Sequence, residues 1–168
     1  MTIDVKPLLR GEVNCINLDY TLPIELGGVK FEEEARVVGE IIDRAGYMRL
    51  TLKLSVPYVA ECARCLDEVR GVFEEDFERT VVTKGSVSDE QLDESVDEYA
   101  VLNENGELDV DEEVVETVVL AFPKKHLCDE ECPGLCSVCG KRKKEGDCGC
   151  VKKEIDPRWA VLKNLLDN

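Results

Sequence analysis

Between Tyr47 and Val56 apolar and polar side chains alternate without a break, with Met48, Leu50, Leu52, Leu54 and Val56 on one parity and Arg49, Thr51, Lys53 and Ser55 on the other. Successive strand side chains point to opposite faces, so this order predicts a strand with one buried side. Pro57, which lacks an N–H, is expected to weaken or end its pairing. Ala35 to Asp43 is rich in β-branched residues and predicts a second strand, turning back at Asp43-Arg44-Ala45-Gly46. A third runs from about Glu68 to Thr83, where Val69, Phe73, Phe77 and Val81 share one parity. Cys15 to Leu26 adds further strand, interrupted by Pro23 and Gly27-Gly28. The expected class is α+β: a small antiparallel sheet or partial barrel with one packed helix, followed by a cysteine-rich tail and a C-terminal helix.

Tyr99 to Leu102 reads as a short strand, closed by the turn-forming Asn103-Glu104-Asn105-Gly106. The period then changes. Val110, Val114, Val118 and Ala121 recur at helical spacing, with Val115 and Val119 widening the stripe. Asp109 stands at the N-cap with Glu112 in capping-box position, the acidic first turn suits the helix dipole, and Pro123 marks the exit. A helix over about 109–122 follows. Asp156-Pro157 is a second start signal, N-cap then N1, and predicts a helix over about 157–167 with Trp159, Leu162, Leu165 and Leu166 as its apolar stripe. Two units are expected: a β-rich domain over 1–122 and a cysteine-rich tail over 123–168.

Charge narrows the classes of partner. The 168 residues hold 37 acidic and 21 basic side chains, a formal net charge of -16. Such a surface repels nucleic-acid backbone at long range, which disfavours non-specific coating and makes a basic protein the favoured direct partner, with a specific RNA contact open to a local positive patch. Thirteen of the acids fall between Ser88 and Glu116, which contains no Lys or Arg, and the first half of that stretch reads as solvated loop. Residues 121–168 are near neutral, with ten basic and eight acidic residues, and Lys141-Arg142-Lys143-Lys144 forms a local basic run. That run could meet RNA phosphate or offset a negative metal–thiolate centre. No leader-like or membrane-length apolar segment is seen, so the expected location is cytoplasmic, with no membrane partner.

In that compartment thiols stay reduced, and nine cysteines is an odd number for a disulfide framework. Six of them lie within Cys128 to Cys150, among mostly polar residues that offer no apolar core to hide in. Tetrahedral zinc takes four sulfurs at about 2.3 Å. Cys136-x-x-Cys139 lets one tight turn aim two of them, with Gly140 where the chain folds back, and Cys148-Gly149-Cys150 supplies a second pair. Cys128 and Cys132 then lack a full set, which Cys62-x-x-Cys65, expected at a hairpin tip, completes. The preferred assignment is two structural zinc ions, one on Cys136, Cys139, Cys148 and Cys150 and one on Cys62, Cys65, Cys128 and Cys132. Grouping Cys128, Cys132, Cys136 and Cys139, or a single metal with the remaining thiols free, are the competing arrangements. His126 is expected in an exposed loop and Cys15 as a small core hydrophobe.

Little supports catalysis. One histidine leaves no Ser-His-Asp set, four-cysteine coordination leaves no open metal position, and no small-molecule substrate or cofactor loop is indicated. A thiol–disulfide oxidoreductase using Cys62 and Cys65 is the rival, with Arg64 able to lower a thiol pKa. It lacks the helix N-terminus within a βαβ unit that this chemistry uses.

Taken in order, Cys62-Ala63-Arg64-Cys65-Leu66, Leu120-Ala121-Phe122-Pro123, Cys132-Pro133-Gly134-Leu135-Cys136-Ser137-Val138-Cys139-Gly140, Cys148-Gly149-Cys150 and Asp156-Pro157-Arg158 resemble the YceD-like family of large ribosomal RNA subunit accumulation proteins. The resemblance spans about residue 10 onward. It implies a non-catalytic factor supporting 23S ribosomal RNA accumulation and large-subunit biogenesis, with ribosomal RNA or basic large-subunit proteins as partners.

Overall fold

The computed structural model describes residues 1–44, 47–86 and 98–150. The end of the expected 43–46 turn, the acidic stretch 88–97 and the expected terminal helix 157–167 lie outside them.

The long alternation folds as expected and carries the architecture. β4 (Ala35–Arg44), β5 (Tyr47–Glu61) and β6 (Glu68–Thr83) form an antiparallel meander, flanked by β2 (Cys15–Leu22) on β4 and by β7 (Tyr99–Leu102), which joins β6 in parallel. β3 (Val29–Phe31) pairs with β5 in line with β4, opposite Tyr58 to Ala60. A separate pair, β1 (Thr2–Asp4) with β8 (Glu107–Asp109), and the short helix α1 (Lys6–Leu9) close one end. The parallel β6–β7 pair departs from the all-antiparallel expectation.

Pro57 does not end β5, which continues to Glu61 with Pro57 opposite Val72 of β6. Its carbonyl accepts from Glu32 N at 3.2 Å, so this residue's backbone groups point away from β6. On that side β4 stops at Ser55 and β3 starts at Tyr58, leaving a gap where an N–H has no partner to lose.

Met48, Leu50, Leu52, Leu54 and Val56 are buried together with Val37, Ile41, Phe73 and Val81. α2 (Val110–Ala121) lies over this face through Val110, Val114 and Val118, and Phe122 follows them into the core. Each such side chain, taken from water, contributes about 1.5–3 kcal/mol. Asp109 caps the helix, its carboxylate accepting from Asp111 N at 3.1 Å and Glu112 N at 3.4 Å. The stripe is narrower than periodicity suggests. Val115, Val119 and Ala121 are exposed, and the arc facing the sheet takes Thr117 instead.

Thr117 is inward because β6 places Arg79, only 3% exposed, under the helix. Arg79 donates to Thr117 Oγ1 at 3.1 Å and Glu116 Oε2 at 3.2 Å, and sits 2.8 Å from Glu113 Oε2 as an ion pair. Burial pushes the Glu113 carboxyl up to about 7, against the pull of Arg79. The folded state therefore holds this proton more tightly than the unfolded chain, and stability falls as pH rises from the ordinary carboxylate range towards 7. Without Arg79 that fall extends to higher pH. Arg79→Ala is expected to cost about 3 kcal/mol near neutrality, and its deficit against the wild type should widen between pH 6 and 8.5 in urea unfolding.

Candidate metal centres

The hairpin of β5 and β6 ends in a turn over 62–67, and the turn is built around its cysteines. Leu66 N donates to Cys62 O at 2.9 Å, and Leu66 takes a left-handed φ of 62°. The same knuckle recurs downstream. Gly140 N donates to Cys136 O at 2.9 Å, and Gly140 has φ 73°. Glycine adopts that conformation freely, whereas Leu66 holds it at a steric cost.

Two shorter turns bring the remaining sulfurs. Asp129 accepts from Glu131 N at 2.8 Å through its side chain and from Cys132 N at 3.0 Å through its carbonyl, bending Cys128 and Cys132 together. Asp147 accepts from Gly149 N at 3.1 Å, and Gly149 has φ 66°, so Cys148 and Cys150 fold onto one side.

Eight of the nine cysteines thereby fall into two groups, Cys62, Cys65, Cys128, Cys132 and Cys136, Cys139, Cys148, Cys150, with all sulfurs in a group within 4.8 Å of one another. Cys65 and Cys128 sulfurs are 3.5 Å apart, and those of Cys62 and Cys132 3.9 Å. A disulfide needs about 2.05 Å. A tetrahedron with sulfurs about 2.3 Å from its centre has edges of about 3.8 Å, and both sulfur separations lie close to that spacing. The grouping Cys128, Cys132, Cys136, Cys139 does not occur.

Electrostatics in the two groups run in parallel. The Cys62 thiol is lowered to about 6, chiefly by the Cys128 N–H with help from Arg64 and Cys65 N–H groups and against burial. The Cys136 thiol is lowered to about 6 by the Cys139 and Val138 N–H groups. Their companions move the other way: Cys128 is pushed up to about 12, first by its sulfur contacts with Cys65 and Cys132, and Cys150 up to about 12 by Cys139 and Cys148. Four converging sulfurs cannot all ionise together without a cation among them. The donor sets fit a soft divalent ion such as zinc.

The first group is nearly sealed, with Cys62, Cys65 and Cys132 buried against Val69, Leu127 and Leu135. Arg64 clasps the tail by donating to the carbonyls of Glu130 at 3.0 Å and Cys132 at 2.9 Å. Gly134 passes so close that a Cβ there would lie 3.0 Å from Arg64 O. The second group is more open, and Cys136, Cys148 and Cys150 line a cavity of about 470 Å³ with Lys141 and Lys143.

Asp67, which sequence reasoning passed over, joins the two groups. Its backbone carbonyl accepts from Cys62 N at 2.7 Å, while its carboxylate meets Arg142 at 2.9 Å and also Lys144. Half of the basic run thus faces a carboxylate of the other knuckle. An acid two residues after Cys-x-x-Cys was the available signal, obscured by the surplus of acids. His126 is not simply exposed: its ring packs on Tyr58 and Phe122 at 5.1 and 5.3 Å, and its carbonyl accepts from Ala63 N at 2.9 Å. Cys15 is not a core residue. It is half-buried on the outer strand β2, its thiol facing Glu40 Oε2 at 3.3 Å, and that hydrogen bond raises its pKa.

Residues 50–166 match the family model described as large ribosomal RNA subunit accumulation protein YceD. Uncharacterized proteins of Mycobacterium tuberculosis and Mycobacterium bovis are 35% identical over 118 residues, 70% of this chain and 55% of theirs. The chain thus spans about half the length of these relatives. An uncharacterized protein of Mycobacterium leprae is 26% identical over 178 residues, 99% of this chain and 77% of its own length. No solved structure matches.

If Asp67 ties the basic loop to the hairpin tip, Asp67→Asn should release that loop, at a cost of about 1–3 kcal/mol for the lost charge-assisted bonds. Trypsin cleavage at Lys141 to Lys144 should then accelerate severalfold over the wild type. An unchanged rate would show that other contacts hold the loop.

Proposed function

The chain belongs to the YceD family of large ribosomal RNA subunit accumulation proteins, and from that premise we propose that it is a non-catalytic, cytoplasmic factor of large-subunit biogenesis that supports 23S ribosomal RNA accumulation and carries two structural zinc ions. The observation that carries the zinc is the convergence of eight cysteines into two four-sulfur groups, the sulfurs of each within 4.8 Å of one another. Bound there, zinc would cross-link four thiolates and keep no open position for chemistry. Cys62, Cys65, Cys128 and Cys132 would hold one ion and pin the tail to the β5–β6 hairpin. Cys136, Cys139, Cys148 and Cys150 would hold the other and shape the knuckle that carries Lys141 and Lys143. The direct partner is a basic large-subunit protein, favoured over bare RNA by the net charge of -16.

Support for a structural role over thiol exchange comes from access and repetition. Cys62 and Cys65 are 0% and 1% exposed, so an incoming disulfide has no route to either sulfur. The lowered Cys62 thiol has a twin at Cys136, as expected of a knuckle motif rather than one redox centre.

Protein purified without chelator should contain about two zinc per chain, and Cys62→Ser and Cys148→Ser should each remove one. One zinc in the wild type would overturn the two-site assignment, and visible absorbance from iron would replace zinc with a cluster. Deleting the gene should lower 23S relative to 16S ribosomal RNA, and a normal ratio would overturn the ribosomal role.

A further inference from the structure

At about 100° per residue the sheet-facing arc of α2 leaves an opposite arc made of Glu112, Val115, Glu116, Val119 and Leu120. Three of these are exposed apolar side chains: Val115 at 38%, Val119 at 51% and Leu120 at 56%. An outward helix face is ordinarily polar, so an apolar one calls for an occupant. Val119 also lines an open cavity of about 420 Å³ of mixed lining, in which Leu26, Val29, Ala60 and Phe122 stand beside Glu61, Lys124 and His126, and its apolar part offers an anchor site next to the exposed arc.

Charge selects the occupant. Several acids of the sheet pair with cations: Asp19 with Arg36, Glu78 with Arg49, Asp76 with Lys53, Glu32 and Glu68 with Arg70. α2 contains Asp111, Glu112, Glu113 and Glu116 and no Lys or Arg. Glu113 faces the buried Arg79, but Glu112 stands exposed beside the apolar arc and Glu116 is partly so.

We propose that this arc is a docking surface for a basic amphipathic helix of a partner protein. Its leucine-type side chains pack on Val115, Val119 and Leu120, with one entering the adjoining cavity. Its lysine or arginine side chains meet Glu112 and Glu116. The arc covers about two helical turns, roughly 12 Å at 1.5 Å per residue, which suits a helix laid along it with matching i, i+3/i+4 spacing. The surface rests on the partner class proposed above and gives it a location.

The probe is a fluorescein-labelled Lys/Leu peptide of about 16 residues with apolar positions at helical spacing, long enough to form a helix once bound. The control is a scrambled isomer of identical composition. By anisotropy the full chain should bind the amphipathic peptide about tenfold more tightly than the isomer. Val119→Ser with Leu120→Ser should abolish that preference, with thermal unfolding unchanged because both side chains are exposed. Glu112→Gln, which leaves the Arg79 partners in place, should weaken binding and flatten its salt dependence.

Equal affinity for the two peptides, or a preference that survives Val119→Ser with Leu120→Ser, overturns the proposal. So does a dimer seen by light scattering that the same pair of substitutions dissolves, since the arc would then be covered by a second copy. A shift of Trp159 emission on those substitutions also overturns it, because the chain's own C-terminal segment would be the occupant. A normal 23S level without the gene would sink the ribosomal role and leave a selective peptide site standing. A failed peptide preference would sink the site alone.

Discussion

Among the described residues, the segment 123–150 is anchored first by the meeting of four sulfurs, those of Cys62 and Cys65 at the hairpin tip with those of Cys128 and Cys132 in the tail. The tail has little else to hold it by burial. Among the described residues its apolar contacts are mainly Cys132 with Leu127 and Leu135 against the hairpin cysteines and Val69, together with the His126 ring on Tyr58 and Phe122. A segment so rich in charge cannot offset the entropy of ordering by apolar area alone. Cross-linking by a bound metal would be the physical alternative, and closing a loop across Cys65 and Cys128, 63 residues apart, would constrain the unfolded chain more than a local bridge.

The second knuckle is then held through the first. Leu135 and Arg142 pair across its base, and Cys136 N donates to Lys141 O at 2.8 Å, which gives the knuckle its shape. Its placement against the body comes from Asp67, whose carboxylate takes two cations while its carbonyl supports Cys62. Salt bridges on open surface contribute little. Here the carboxylate is only 16% exposed and shared, so it acts as a positioned counter-charge.

Local patterns were enough to find most elements. The alternation through Tyr47 to Val56, the parity of Val69 to Val81, and the Asp109 cap each involve near neighbours, and the folded chain follows them. The pairing of cysteines was legible for another reason, since spacing left two cysteines short of a set and only one other pair remained. What could not be read depends on what lies across a gap. Pro57 is tolerated because β4 and β3 leave a break beside it, and no local sequence reveals where two other strands stop. Val115 and Val119 looked like core until Arg79, from a distant strand, drew Thr117 inward and set the rotation of the helix. Asp67 was one acid among 37.

That rotation connects the core to the surface. A buried guanidinium on β6 needs acids above it, and α2 supplies Glu113 and Glu116 on one flank. Turning that flank toward Arg79 leaves Val115 and Val119 outward, so this part of the apolar arc is the other side of satisfying a buried charge, while Leu120 continues the acidic flank one turn beyond Glu116. At its C-terminal end α2 runs through Phe122 into His126, whose carbonyl holds Ala63 within the first knuckle. The exposed helix face and the four-sulfur group are therefore joined by a short packed segment. A partner seated along α2 would meet a surface whose far end is fixed by Cys62 and Cys65, so the rigidity of the knuckle limits how far that end of the surface can yield.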